Sequence, residues 1–233
     1  MDIDLATGFI WFAAFLFSTT VHEAMHALVA LRLGDPTAYH GGQVSLSPLP
    51  HIQREPIGML VLPLLTSFTQ GWAMGWASAP YDPRWAQRYP QRAAVMAAAG
   101  PAGNFAIAIA AFAVMKFGLM SGWFVAPDRV TFEHLVASGS GAGPTFAATA
   151  LSALLIFNVF IGLFNLLPVP PLDGWAVLGL FLSDHQRAAT RQLESNPAMS
   201  MIGLLVAWQV FPMFTSPIFN LLLRMLHPDA GYS

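Results

Sequence analysis

Residues 10–33 read IWFAAFLFSTTVHEAMHALVALRL, an apolar run that carries His22, Glu23 and His26 deep inside it. A bilayer core about 30 Å thick is crossed by roughly 20 such residues as a helix. A charge at mid-helix costs roughly 2.5 to 3.5 kcal/mol on insertion scales, so three polar or ionisable side chains in one run need a compensating partner. On a helix His22 and His26, four residues apart, share one face and can hold one metal ion. Glu23, beside the first, can hold and deprotonate a water at that metal. The motif points first to a zinc hydrolase within a membrane.

Composition agrees with a membrane setting. The chain has 233 residues, 55% hydrophobic and 9% charged, against about 25% charged in an ordinary soluble domain. At about 20 residues per span this length allows four to six spans, so residues 1–233 are expected to form a single integral membrane domain. The net charge is −2 and the ten basic residues are scattered, which argues against a nucleic-acid partner. Cysteine is absent, so a metal must take nitrogen and oxygen ligands. The start, Met1-Asp2-Ile3-Asp4-Leu5, lacks the basic segment of a cleaved leader, and the first apolar run is expected to remain as a helix.

Five apolar segments stand out, at about 8–33, 57–79, 93–118, 146–182 and 199–226. The second contains Pro63, Gly71 and Gly75, and follows Gly41-Gly42-Gln43-Val44-Ser45-Leu46-Ser47-Pro48, which alternates like a short strand or hairpin. If all five span, the basic residues divide equally. If 57–79 is re-entrant or interfacial, Arg32, Arg54, Arg84, Arg88, Arg92, Arg187 and Arg191 share one side, against Lys116, Arg129 and Arg224. The excess marks the cytoplasmic side. The expected fold is an all-α polytopic membrane protein with about four transmembrane helices plus a re-entrant or interfacial segment and a short β-hairpin. The N-terminus is expected outside, with the end of the first helix at the cytoplasmic face.

The fourth segment is broken by Pro168, Pro170 and Pro171, which cannot continue a regular helix. Unwound backbone at membrane depth is tolerated where it lines protein or a wet cavity, so residues 165–174 are a candidate site wall. Asp173 is the best third ligand: with Glu23 it is one of two carboxylates deep in apolar sequence, and in the four-span topology it shares the depth of His22. The loop from Ser121 to Pro144 reads as flexible and exposed. His40 and His51 read as loop histidines, and His134, His185 and His227 as solvent-side or interfacial. Gly100-Pro101 by itself reads as a helix start.

Three motifs together, His22-Glu23-Ala24-Met25-His26, Ala99-Gly100-Pro101-Ala102-Gly103-Asn104 and Asn165 through Gly174, resemble the signatures of the site-2 protease family of intramembrane zinc metalloproteases. The resemblance covers roughly residues 15–180. It implies one Zn2+ per chain on His22, His26 and Asp173, Glu23 as general base, and Asn165 binding the substrate strand or the developing oxyanion. It also implies cleavage of a membrane-protein substrate within or near a transmembrane helix, close to the cytoplasmic face. The chain departs from the family's usual pattern at Met25 and Trp175, where glycine is common, and no insertion is long enough for a PDZ domain.

The expected partners are a transmembrane protein substrate, the lipid bilayer and a regulatory membrane partner. The expected location is the plasma (inner) membrane. Gly42 and Val44, on an edge strand from residues 41–48, are expected to pair with an unwound substrate. Two other readings use the same ligands: a zinc-dependent membrane hydrolase of a lipid or small amide, and a non-catalytic metal-binding membrane protein.

Overall fold

The computed structural model describes residues 5–139, 142–183, 186 and 196–228. It is an inside-out bundle. Leu5, Phe9, Phe17, Ile109, Val114 and Phe117 point outward, while Ser18, Thr19, Thr20, His22, Glu23, His26, Asn104 and Asn158 are buried. Apolar side chains gain little by burial when the solvent is lipid, so small and polar groups share the interior with an apolar cluster that includes Ile10, Trp11, Met115, Leu155 and Ile156.

Among the described residues, three helices are long and apolar enough to cross a membrane: α1 (Leu5–Leu33), α6 (Pro90–Met120) and residues 145–165 of α7 (Ala142–Asn165). Side-chain contacts fix their directions. Met96 meets His26 and Asn104 meets His22, while Ala111 and Met115 cluster with Ile10 and Trp11, so α6 runs antiparallel to α1. α7 runs parallel to α1, with Asn158 bonded to Ser18 and Asp173, past the end of α7, beside His22. α9 (Pro197–Val210) and α10 (Pro212–Leu226), bent by 46° at the break, are together long and apolar enough for a fourth crossing. α9 passes Pro170, where Gly203 lies so close that a Cβ would fall 1.9 Å from Pro170 O, and α10 ends where Lys116 Nζ donates to Leu226 O.

Between α1 and α6 the chain makes a re-entrant excursion. After α2 (Thr37–His40) and α3 (Leu49–Arg54), one π turn (Ile57–Val61) leads into α4 (Leu62–Thr69). This helical run of 13 residues, Ile57–Thr69, is shorter than a span. It climbs along α1 until Phe68 packs on Gly8 and Phe9. An extended return follows, tied to its start by Trp76 N to Gly58 O (3.2 Å) and Ser78 Oγ to Glu55 Oε1 (2.7 Å). Asp82 N then donates to Asp35 Oδ2 (2.8 Å), just past the end of α1, which closes the excursion on the side where it began. Arg54, Arg84, Arg88 and Arg92 lie at this end of the bundle, Arg92 donating to Leu33 O, and Lys116 and Arg224 lie at the other. Arg187 and Arg191 are outside the described residues.

Three expectations need correction. Residues 41–48 form no strand: Gly42 has φ 73°, Gln43 turns its side chain inward to Ser78 O (3.1 Å), and Pro48 starts α3. Among the described residues no neighbouring backbone pairs with the alternating run, so it is not the edge strand expected to carry Gly42 and Val44. The hairpin lies instead in the outer loop, β1 (Phe124–Val125) against β2 (Ala137–Ser138), and that loop is anchored by Phe124, Leu135 and Val136, all buried. His51 and His227 are buried as well, their Nε2 atoms donating to Ser45 O (3.2 Å) and Leu135 O (2.7 Å). His185 lies outside the described residues.

Because the chain has no cysteine, single cysteines report topology cleanly. Gln53→Cys and Gln87→Cys should react with a membrane-impermeant maleimide from one side, and Ser121→Cys from the other. Labelling of Gln53→Cys and Gln87→Cys from opposite sides would make 57–79 a full span.

Candidate metal centre

α1 delivers His22 and His26 one turn apart, 5% and 7% exposed, and the unwound run after α7 delivers Asp173 as the first residue of α8 (Asp173–Leu178). His22 Nε2 and His26 Nε2 stand 3.0 Å apart. Asp173 Oδ2 lies 3.1 Å from His22 Nε2, and Oδ1 lies 3.4 Å from His26 Nε2. The ligand geometry expected from sequence is thus assembled, with the three side chains offering one donor atom each within 4.8 Å of one another.

Hydrogen bonds behind the rings decide what these nitrogens can do. His26 Nδ1 donates to Met96 O (2.8 Å), a group that only accepts. His22 Nδ1 faces Asn104 Oδ1 (2.6 Å), and the orientation of that amide is fixed because Asn104 Nδ2 donates to Ser18 O (3.4 Å) and Asn158 Oδ1 (2.8 Å). In the neutral form that metal ligation requires, both rings therefore carry their proton on Nδ1 and turn bare Nε2 lone pairs toward each other. Asp173 Oδ2 is buried beside them without a hydrogen-bond partner. Two lone pairs and a carboxylate around one point repel unless a cation sits among them. Three donors at about 2.0–2.1 Å from one tetrahedral ion stand about 3.3 Å apart, close to the separations seen here. The donor set, two imidazoles and a carboxylate, fits Zn2+ with one position left open.

Close approach of α6 is part of the site. A Cβ on Gly100 would lie 2.3 Å from His26 Nε2 and 2.6 Å from His22 Nε2, so only glycine fits there. Pro101 is inside the 31-residue α6, not at a helix start; tight packing against α1 holds the helix through it. Met25 lies over Gly103, where a Cβ would come 2.9 Å from Met25 Cγ, which accommodates the larger residue.

Glu23 is 5% exposed, and among the described residues no hydrogen bond or ion pair engages its carboxylate. Asn165 ends α7 and donates Nδ2 to Ile161 O (3.0 Å), one turn back; no described contact joins it to His22, His26 or Asp173. Gly42 and Val44 stay in the turn after α2, also without a described contact to them. A cleft of about 480 Å3 opens onto Asp173 between α6 and the unwound run, lined by Met96, Ala97, Pro170, Trp175 and, from the segments beside them, Tyr81 and Ser200. Sequence reasoning missed Asn158 and the Met96 carbonyl. A lone amide in Leu154-Leu155-Ile156-Phe157-Asn158 was a readable signal, whereas a backbone carbonyl leaves none.

Residues 10–208 match peptidase family M50. The chain belongs to that family, the site-2 proteases. This M50 peptidase is 30% identical over 191 residues to "Putative zinc metalloprotease YwhC" of Bacillus subtilis, covering 82% of this chain and 77% of the relative. It is 30% identical over 210 residues to "Putative zinc metalloprotease Rip2" of Mycobacterium tuberculosis, covering 89% and 67%. With the Rip2 of Mycolicibacterium smegmatis the identity is 25% over 194 residues, covering 83% and 65%. No solved structure matches the chain.

If the three donors form one centre, Asp173→Ala should abolish bound zinc by elemental analysis. Gly100→Ala, which pushes a methyl into both Nε2 positions, should lower metal affinity at least about tenfold. Full zinc content in Asp173→Ala would remove that carboxylate from the site.

Proposed function

We propose that this chain is an intramembrane zinc metalloprotease that hydrolyses a peptide bond within or near a transmembrane helix of a membrane-protein substrate. The reading is carried by one observation: a group of residues that could hold a metal ion and a buried carboxylate on the same helix turn, at the depth of apolar spans. His22, His26 and Asp173 hold one Zn2+. Zinc, when bound, supplies Lewis acidity toward a carbonyl and toward water.

The chain's own residues do the rest. Glu23, buried and engaged by no hydrogen bond or ion pair among the described residues, takes a proton from the attacking water and passes it to the leaving amine as the C–N bond breaks and a C–O bond forms. Met96 O and Asn104 Oδ1 hold the two rings in register. Asn165 keeps Oδ1 and one amide proton for a substrate strand. A transmembrane helix hides its carbonyls in its own hydrogen bonds, so the substrate must unwind before it reaches the site. The cleft beside Pro170 and Trp175 suits an extended segment, because it opens along a run whose own backbone is already unwound.

We place this end of the bundle at the cytoplasmic face of the plasma (inner) membrane, on the excess of Arg32, Arg54, Arg84, Arg88 and Arg92 over Lys116, Arg129 and Arg224. Residues 1–233 act as one domain, and partner choice rests with the membrane core or a regulatory membrane protein.

Glu23→Gln should keep its zinc and lose cleavage of a membrane substrate by at least about a hundredfold, the lower range for a positioned general base. Cleavage at the unaltered rate would remove Glu23 from that role.

A further inference from the structure

Asn158 stands on α7, the helix that leads to Asp173, and its side chain is completely buried between α1 and α6. Its Nδ2 donates to Leu154 O (2.8 Å) and Ser18 Oγ (2.7 Å). Leu154 O only accepts, so the amide cannot be turned over without setting two oxygens against each other. Asn158 Oδ1 is thereby aimed at Asn104 Nδ2 (2.8 Å), and Asn104 Oδ1 at His22 Nδ1 (2.6 Å).

We propose that Asn158 is a positioning residue for metal binding: acting through Asn104, it fixes the proton of His22 on Nδ1 and keeps Nε2 bare for the ion. Two bonds separate Asn158 from the ring, yet the direction of each is imposed by the one before. Without an acceptor at position 158, only the long bond to Ser18 O (3.4 Å) opposes a turn of the Asn104 amide that presents Nδ2 to His22. That would leave the ring proton on Nε2, the nitrogen that must ligate. The same amide ties together the three helices that bear the site: α1 through Ser18, α6 through Asn104, and α7, which leads to Asp173. The inference rests on His22, His26 and Asp173 holding zinc.

Two substitutions separate positioning from packing. Asn158→Asp, as the neutral acid that this buried position favours, keeps an oxygen for Asn104 Nδ2 to donate to and an O–H for Leu154 O; Asn158→Leu removes both while suiting the apolar surroundings. Zinc affinity is read on the full chain in lipid nanodiscs by competition with a chromogenic chelator, and ligand geometry from the d–d absorption of the Co2+-loaded protein. Asn158→Leu should weaken zinc binding about 10- to 100-fold and alter the cobalt spectrum, whereas Asn158→Asp should keep most of the affinity. A packing role predicts the reverse order, because a buried carboxylate disturbs an apolar helix more than leucine does. Ser152→Ala is a second comparison. It removes another buried polar group of α7, bonded to Leu135 N outside the relay, and should leave zinc affinity unchanged. Unchanged affinity in Asn158→Leu, or an equal loss in Asn158→Asp or Ser152→Ala, would overturn the relay alone. Absence of zinc binding in the unaltered chain would overturn the metal site itself.

Discussion

Two imidazole nitrogens with their lone pairs facing across 3.0 Å, beside a carboxylate oxygen with no hydrogen-bond partner, are the constraint on which this structure turns. Neutral rings in that arrangement repel, and Glu23 adds another negative charge nearby. Two carboxylates at membrane depth cost about 5 to 7 kcal/mol together on insertion scales. Binding of zinc to a preformed set of protein ligands is worth about 10 kcal/mol or more. The cation is thus large enough to offset the polar cluster, and a fold lacking it would have little reason to keep these groups in its centre.

The architecture brings the donors together and leaves them reachable. α1 and α7 run parallel, so residues late in each meet at one depth, and the proline-broken run after Asn165 lets Asp173 turn back toward α1. α6 passes between them with glycine at position 100, the one place where any side chain would fill the metal position. The excursion through α4 starts and returns at the Asp35 end, and the cleft opens at the same end. The far end is filled by buried Leu135 and Val136 and by the aromatic contacts of Phe132 with Phe160 and Phe219.

What sequence reveals here follows from chemistry that has few alternatives. His22, His26 and Asp173, which the structure brings together, are legible because ionisable groups in apolar runs demand a partner, and the charge asymmetry of the loops pointed to the re-entrant segment. The hairpin was misplaced for an equally physical reason: Val44-Ser45-Leu46-Ser47 alternates, but alternation says nothing about whether another strand lies alongside. Gly100 reads locally as a helix start, and its real function depends on α1 lying against it. The direction of the Asn158 to Asn104 to His22 chain is invisible in sequence, since an asparagine's orientation is set by neighbours brought together from three helices.

The central claim is that one zinc ion is held by His22, His26 and Asp173 inside the bundle. X-ray absorption at the zinc edge of the purified chain in lipid tests it most directly. The account predicts four light-atom ligands at about 2.0–2.1 Å, with the outer-shell scattering of two imidazoles. A spectrum with the imidazole signature of one ring or none, or a six-oxygen shell, would contradict it.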